Sequence, residues 1–352
     1  MKRHPVFLQD MEQVAGLDLP WGDFAGKIVL ITGASGFLPA YMVETLLWLN
    51  EQKKLSTPCT VIALVRNEDK ARQRFSDYAG RGDLKFVVQD VCAPIEMEGP
   101  VDYIVHAASQ ASPKYYGTDP VGTLSANVLG THQLLELARS KGAKRFLFFS
   151  SAEVYGAVAS GQPNEQQYGY LDPLAVRSCY AESKRMGENM AVCWHHQFGL
   201  PVVIARPFHT YGPGMDLGDG RVFADFVADI VAGRDIVMKS DGLAVRAFCY
   251  LAEATAGFFT VLLKGADGHA YNIGNDGAQS SIVGLAELLV SLFPERNLRV
   301  QKHDLPCATA YLQSPVNRIC PDITKARDLG WQPRTGLADG FTKTIRSFEP
   351  WE

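Results

Sequence analysis

Short, almost purely apolar runs recur from Lys27 onward, several followed by a helical pattern, and this alternation constrains the fold more than any other feature of the chain. KIVLIT (27–32) leads through GASGF into an apolar-periodic stretch that ends near Trp48. VIALV (61–65), LKFVV (84–88), YIVHA (103–107), RFLFFS (145–150) and PVVIARP (201–207) follow, with helical stretches such as TLSANVLGTHQLLELARSKG and ESKRMGENMAVCWHHQFG between them. Continuous apolar runs that alternate with helices indicate parallel strands buried on both faces. The expected fold class is α/β, a Rossmann-like doubly wound parallel sheet. After about residue 206 the runs shorten and glycines multiply, which suits a smaller C-terminal lobe closing over a ligand.

The bulk numbers narrow the partners. The chain has 352 residues, 47% hydrophobic and 20% charged, with a net charge of −4. That charge gives no field to hold the chain on nucleic acid or an anionic membrane, so a polyanionic ligand needs a local cluster of arginines. The cysteines, at 59, 92, 179, 193, 249, 307 and 320, are odd in number and lack CxxC spacing. They read as reduced thiols in a cytoplasmic protein, with neither a disulfide framework nor a metal site. No apolar stretch is long enough for a signal peptide or a membrane span.

The glycine turn after the first run points to a cofactor. In ITGASGF, Gly33 and Gly36 stand between a strand and a helix, where backbone N–H groups and the helix dipole hold a pyrophosphate. Ser35, Phe37 and Leu38 around the turn, and Ala107, Ala108 and Ser109 behind the YIVHA run, complete the expected contacts. Pro39 replaces a third glycine but suits the first helical turn, where its missing N–H is not needed. Arg66 ends the second run where NAD-binding proteins place an acid, and would pair with the 2′-phosphate of NADP. The alternative is a solvent-facing Arg66, with Glu68 or Asp69 serving NAD. Asp90 and Val91 are candidate adenine contacts. The expected division is an N-terminal arm at 1–25, an NAD(P)-binding Rossmann domain at 26–205, and a mainly substrate-binding lobe at 206–352, interleaved with the first.

CYAESKRM carries Tyr180 and Lys184, which four residues of helix bring to one face. A lysine beside a phenol, with a cationic nicotinamide near, favours the phenolate and makes Tyr180 a base for a sugar hydroxyl. SSAEVYG, about thirty residues earlier, supplies Ser151 and Glu153 at the same sheet edge.

TGASGF, SSAEVYG, YAESK and the late YGPG together resemble the extended short-chain dehydrogenase/reductase family, in its nucleotide-sugar epimerase, dehydratase and decarboxylase branch. The resemblance implies that Ser151 hydrogen-bonds the sugar hydroxyl, Tyr180 is the acid/base, and Lys184 holds the nicotinamide ribose. ASQASPKYYGTDPVGTLSANVLGT, YGPGMDLGDGRVFADFV, VRAFCYLAEATAG and RICPDITKARDLGWQPRTGL are most similar to UDP-glucuronate decarboxylases. That likeness implies Glu153 and Arg221 about the sugar carboxylate, Arg246 on the diphosphate, and Ser109 and His209 in the substrate pocket. Surface ion pairing is the alternative for either arginine.

The sequence departs from that pattern at three places. Ala152 stands where decarboxylases tend to have serine and 4,6-dehydratases an aspartic acid; its loss counts against dehydration, and alanine there suits a 4-epimerase. His209 replaces a usual asparagine, and Gly214 a frequent arginine. The expected function is transient C4 oxidation of a nucleotide-diphosphate sugar, UDP-linked, with bound NAD or NADP, decarboxylase-like, with a 4-epimerase as the alternative. A 4-ketosugar reductase and a non-catalytic NAD(P)-binding regulator are the remaining readings. A homodimer is implied by resemblance alone.

Overall fold

The computed structural model describes residues 3–158, 161–302 and 318–351. Cys307 lies outside these residues. The chain opens with helix α1 (Pro5–Ala15), followed by β1 (Ile28–Thr32), α2 (Phe37–Glu51), β2 (Thr60–Val65), α3 (Glu68–Arg74), β3 (Leu84–Val88) and β4 (Tyr103–His106). Next come α4 (Lys114–Thr118), α5 (Pro120–Lys141), β5 (Arg145–Phe149), α6 (Cys179–Phe198), β6 (Val202–Pro207) and β7 (His209–Tyr211). The later part holds α7 (Val222–Val231), β8 (Ile236–Met238), β9 (Val245–Tyr250), α8 (Leu251–Lys264), β10 (His269–Ile273), β11 (Gln279–Ser281) and α9 (Ile282–Ser291). β12 (Val300–Lys302), β13 (Arg318–Ile319), α10 (Thr324–Arg327) and α11 (Leu337–Arg346) complete the described elements.

Seven parallel strands form the central sheet in the order β10-β6-β5-β4-β1-β2-β3. Each apolar run found in the sequence supplies one of them. Side chains alternate between faces along a strand, and the two cores divide accordingly. Val29, Ile31, Leu147, Phe149, Val203 and Ala205 belong to one core, with α2 and α8. Leu30, Phe146, Phe148, Val202 and Ile204 belong to the other, with α5 and α6. Strand order reverses between β1 and β4, so the ends of β1, β4, β5 and β6 face a common crevice, where open α/β sheets bind ligands.

The seventh strand was not among the expected ones. β10 comes from the loosely patterned late region and returns beside β6. The remaining late strands pair outside the central sheet: β9 lies between β11 and β13, β7 also pairs with β9, and β12 pairs with β8.

The N-terminal segment is a built part of the body. Proline at the start of α1 and the His4 imidazole accepting from Val6 N set the helix. Met11, Val14, Ala15, Trp21 and Phe24 are buried in the core that includes α2 and α8. Asp10 Oδ2 accepts hydrogen bonds from the Tyr41 hydroxyl of α2 (3.0 Å) and the Tyr250 hydroxyl at the end of β9 (2.8 Å). Among the described residues, no helix is long and apolar enough to cross a membrane.

Candidate active site

The glycine turn is built as its spacing requires. Gly33 has φ +63°, a conformation that costs a side-chain-bearing residue free energy. A Cβ there would lie 2.8 Å from Ala108 Cα and 3.2 Å from Ala107 O, so glycine lets the end of β4 close against the turn. Thr32 Oγ1 accepts from Ala107 N (3.2 Å) and Ala108 N (3.1 Å) and bonds His106 Nδ1 (3.0 Å), which fastens β1 to β4. His106 is fully buried, and burial, then Lys184, pushes its imidazole down to about 3.

Gly36 caps α2 without any side-chain hydrogen bond, and Ser35, Phe37 and Leu38 surround that end. Uncapped N–H groups at a helix start attract an anion. The Ser109 hydroxyl, just beyond β4, is buried with no hydrogen-bond partner. These donors fit a pyrophosphate-bearing dinucleotide. Arg66 is exposed just past β2, and its charge reaches Asp90 and Asp119 without an ion pair among the described residues. Glu68, one of the acids considered for the ribose, is held by Arg72. The hydrogen bond from Cys92 N, then Arg66, holds Asp90 below the usual carboxylate range. Val91 is buried in the core beside α5.

On α6, Tyr180 and Lys184 are both buried, 6% and 2% exposed, and face the sheet. Gly187 permits this approach, because a Cβ there would lie 2.3 Å from the Phe148 ring of β5. Lys184 Nζ donates to Phe149 O at 2.6 Å and stands 5.7 Å from the centre of the Tyr180 ring. Burial pushes Lys184 down to about 7, with Glu188 pulling it back.

The expected lowering of the Tyr180 phenol is not what its protein surroundings produce. Burial raises it, while Ser151 and Arg221 pull it down and Glu153 adds to the rise. The Lys184 ammonium is directed at a carbonyl of β5, so the phenol gains little from it.

Ser151 caps a short 3-10 turn, its Oγ accepting from Glu153 N at 3.2 Å. Ala152 is buried against Val154, Tyr155 and Phe208, so the position of the dehydratase acid is filled by core. Glu153 pairs with Arg177 Nη1 at 3.3 Å. Arg221 pairs with Asp219 (3.1 Å) and donates to Ala111 O (3.0 Å). Glu153, Arg177 and Arg221 all act on the Tyr116 phenol, whose ring stacks on Tyr180 with centroids 5.1 Å apart. Ser151, Glu153, Tyr180 and Arg221 are thus near neighbours, and Tyr116 and Arg177 stand among them. Sequence reasoning passed over those two, although Arg177 precedes Tyr180 by three residues and Tyr116 sits in a quoted segment.

His209 begins β7 between the rings of Phe223 and Phe248, its Nδ1 buried and unpartnered. Burial, then Arg246 and Arg221, pushes its imidazole down to about 3, so it is neutral. Arg246, on β9, donates to Val245 O. Near Gly214, where an arginine is frequent, the guanidinium of Arg74 lies 3.6 Å from the position of a Cβ and is tied to Glu44. A cation from α3 therefore stands beside the site of the missing side chain. Among the described residues, no His, Cys, Asp and Glu side chains gather as a metal site.

The model of the NAD dependent epimerase/dehydratase family matches residues 29–274. UDP-glucuronic acid decarboxylase 5 of Arabidopsis thaliana is 35% identical over 315 residues, covering 89% of this chain and 86% of the relative. UDP-glucuronic acid decarboxylase 1 of Danio rerio is 34% identical over 324 residues, covering 92% and 72%. Among solved structures, a UDP-glucuronic acid 4-epimerase from Bacillus cereus, in complex with UDP-glucuronic acid and NAD, superposes with a TM-score of 0.75 at 21% identity, covering 91% and 98%. A dTDP-glucose 4,6-dehydratase from Streptomyces venezuelae superposes with a TM-score of 0.74 at 26% identity, covering 91% and 96%.

Proposed function

The chain belongs to the NAD dependent epimerase/dehydratase family, and on that premise we propose that it decarboxylates a UDP-linked uronic acid, UDP-glucuronate first among them, by transient oxidation at C4. Bound NAD supplies the acceptor for the C4 hydride and the means of its return. Tyr180 takes the proton of the C4 hydroxyl, Ser151 orients that hydroxyl, and Lys184 holds the nicotinamide ribose. Gly33, Ser35, Gly36, Phe37, Leu38 and Ser109 hold the pyrophosphate end, with Asp90, Val91, Ala107 and Ala108 lining the rest. Glu153, Arg177 and Arg221 surround the sugar carboxylate, and Arg246 and His209 face the remainder of the substrate.

The observation that carries this reading is the gathering of Arg177, Arg221 and Glu153 about the stacked Tyr116 and Tyr180 rings. Once C4 is a ketone, the substrate is a β-keto acid and loses carbon dioxide without a further base. The enolate then forms beside Arg221 and Tyr180; C5 takes a proton from solvent, and the Tyr180 hydroxyl gives its proton back to O4 as the hydride returns to C4.

A 4-epimerase is the second reading, favoured by the buried Ala152. Proton NMR of the purified protein with UDP-glucuronate and, separately, UDP-galacturonate, each with NAD, separates the two. A UDP-pentose with paired C5 protons supports decarboxylation. Interconversion of the uronates supports epimerisation, and no change in either substrate overturns both assignments.

The division of labour places the cofactor on residues 26–205 and the substrate mainly on 206–352, with residues 1–25 as a structural arm. The exposed Val121 and Leu124 of α5 and Met186 and Val192 of α6 suit a homodimer face. The dispersed free thiols suit the cytoplasm.

A further inference from the structure

Glu188 lies one helical turn beyond Lys184 on α6 and ties that helix to the sheet. The Ser150 hydroxyl donates to Oε1, as does Arg206 Nε at 2.8 Å, while Arg206 Nη2 donates to Oε2 at 2.6 Å. Arg206 sits within β6, only 1% exposed. Its other donors reach the Tyr155 hydroxyl (2.9 Å), Glu165 O (3.1 Å) and the Tyr168 hydroxyl (2.9 Å). Tyr155 donates in turn to Asn272 Oδ1 on β10. One carboxylate thus links α6, the end of β5, β6, the loop after Tyr155 and β10.

Packing alone does not call for this arrangement. Burying an ion pair costs each ion its hydration, and apolar side chains of similar volume would fill the space as well or better. We propose that Glu188 is a positioning residue for the acid/base pair: with Ser150 and Arg206 it fixes the strand end carrying Ser151, and it sets a negative charge one helical turn from the Lys184 amine. This rests on the reading of Tyr180 and Lys184 as the acid/base pair.

The groups facing Lys184 support it. Tyr180 and Glu188 come from α6, the Phe149 carbonyl and the Phe148 ring from β5, and a neutral His106 from β4. Of these only Glu188 brings a negative charge to offset burial, which acts to strip the proton from the amine. An ammonium has three donors; with one on Phe149 O, two are left for ligand oxygens. A neutral amine would lose both that capacity and the charge.

The test titrates Lys184 directly, by NMR of protein labelled with carbon-13 at the lysine methylene beside Nζ, the resonance assigned through Lys184→Arg. In Glu188→Gln the midpoint is expected to fall by about 1–2 pH units, and in Glu188→Asp to recover most of the difference. The alkaline limb of kcat/KM moves down with it. A residue that only held the fold would lower Tm and activity at every pH without moving that limb. If Glu188→Gln does not fold, the charge-neutral double variant with Arg206→Gln is titrated instead, and a downward shift is again expected. A folded variant whose Lys184 midpoint stays at the wild-type value overturns the proposal. The NMR titration uses no substrate, so it stands apart from any failure with UDP-glucuronate.

Discussion

The ring of Tyr116 stacks on that of Tyr180 with 15° between their planes, and the Tyr116 hydroxyl is fastened to Ala111 O at 3.0 Å. The Tyr180 phenol is therefore held on one face by a second phenol anchored to the loop that leads into α4. Tyr180→Phe is expected to lower turnover by about 10²–10⁴-fold with unchanged Tm, as removal of a general acid/base does. Tyr116→Phe keeps the stack and should stay within a few-fold of wild type. Tyr116→Ala loses it and should fall by about tenfold or less. Progress curves followed by proton NMR give the three rates. Equal rates for the alanine and phenylalanine variants would show that the stack does not position Tyr180.

Arg66 sets an expectation for cofactor choice. Its guanidinium is exposed and outside any ion pair among the described residues. Hydrogen bonds to a 2′-phosphate are worth about 1.5–3 kcal/mol, so Arg66→Ala should weaken NADP by about 10–100-fold. NAD affinity should change little. Fluorescence titration with each dinucleotide measures both constants, and equal losses for the two would place Arg66 on the part they share.

Asp10 gives a pH dependence of unusual sign. Burial, offset in part by the Tyr250 hydroxyl, Lys343 and the Tyr41 hydroxyl, with Glu253 opposing them, pushes its carboxyl from 3.8 up to about 6. Between these values the unfolded chain has released the proton while the folded chain keeps it. This group therefore costs stability as pH rises from about 4 to about 6, by about 3 kcal/mol at most, with no further change above. Asp10→Asn removes the buried charge and leaves the two hydroxyl donors an oxygen. Its Tm relative to wild type should climb by several degrees between pH 4 and pH 7.5. A difference that stays flat across that interval would contradict the assignment.

The central sheet was legible because strands buried on both faces write continuous apolar runs, and VIALV or RFLFF needs no partner to be recognised. HAYNI of β10 escaped because its polar residues interrupt the run: Asn272 is buried to serve Tyr155, a demand visible only once the two meet. That Tyr180 and Lys184 share a face of α6 was legible because a four-residue helical spacing fixes it locally. Arg206 was not, since an arginine inside PVVIARP has meaning only through Glu188 and Tyr168, brought to it from elsewhere in the chain. The arm hid for the same reason. PVFLQDMEQVA has helical spacing, but the surfaces that cover Met11 and Asp10 lie on α2, β9 and α8.

The arm's contacts have a consequence for synthesis. Asp10 waits for Tyr250, 240 residues downstream, before its hydrogen bonds can be completed. At roughly 5–20 residues per second, that partner emerges on the order of tens of seconds after Asp10 does. For that interval the ribosome-bound chain displays Met11, Val14, Trp21 and Phe24 with part of their eventual cover still unmade. Docking of the arm is therefore complete only after β9 and α8 have been made.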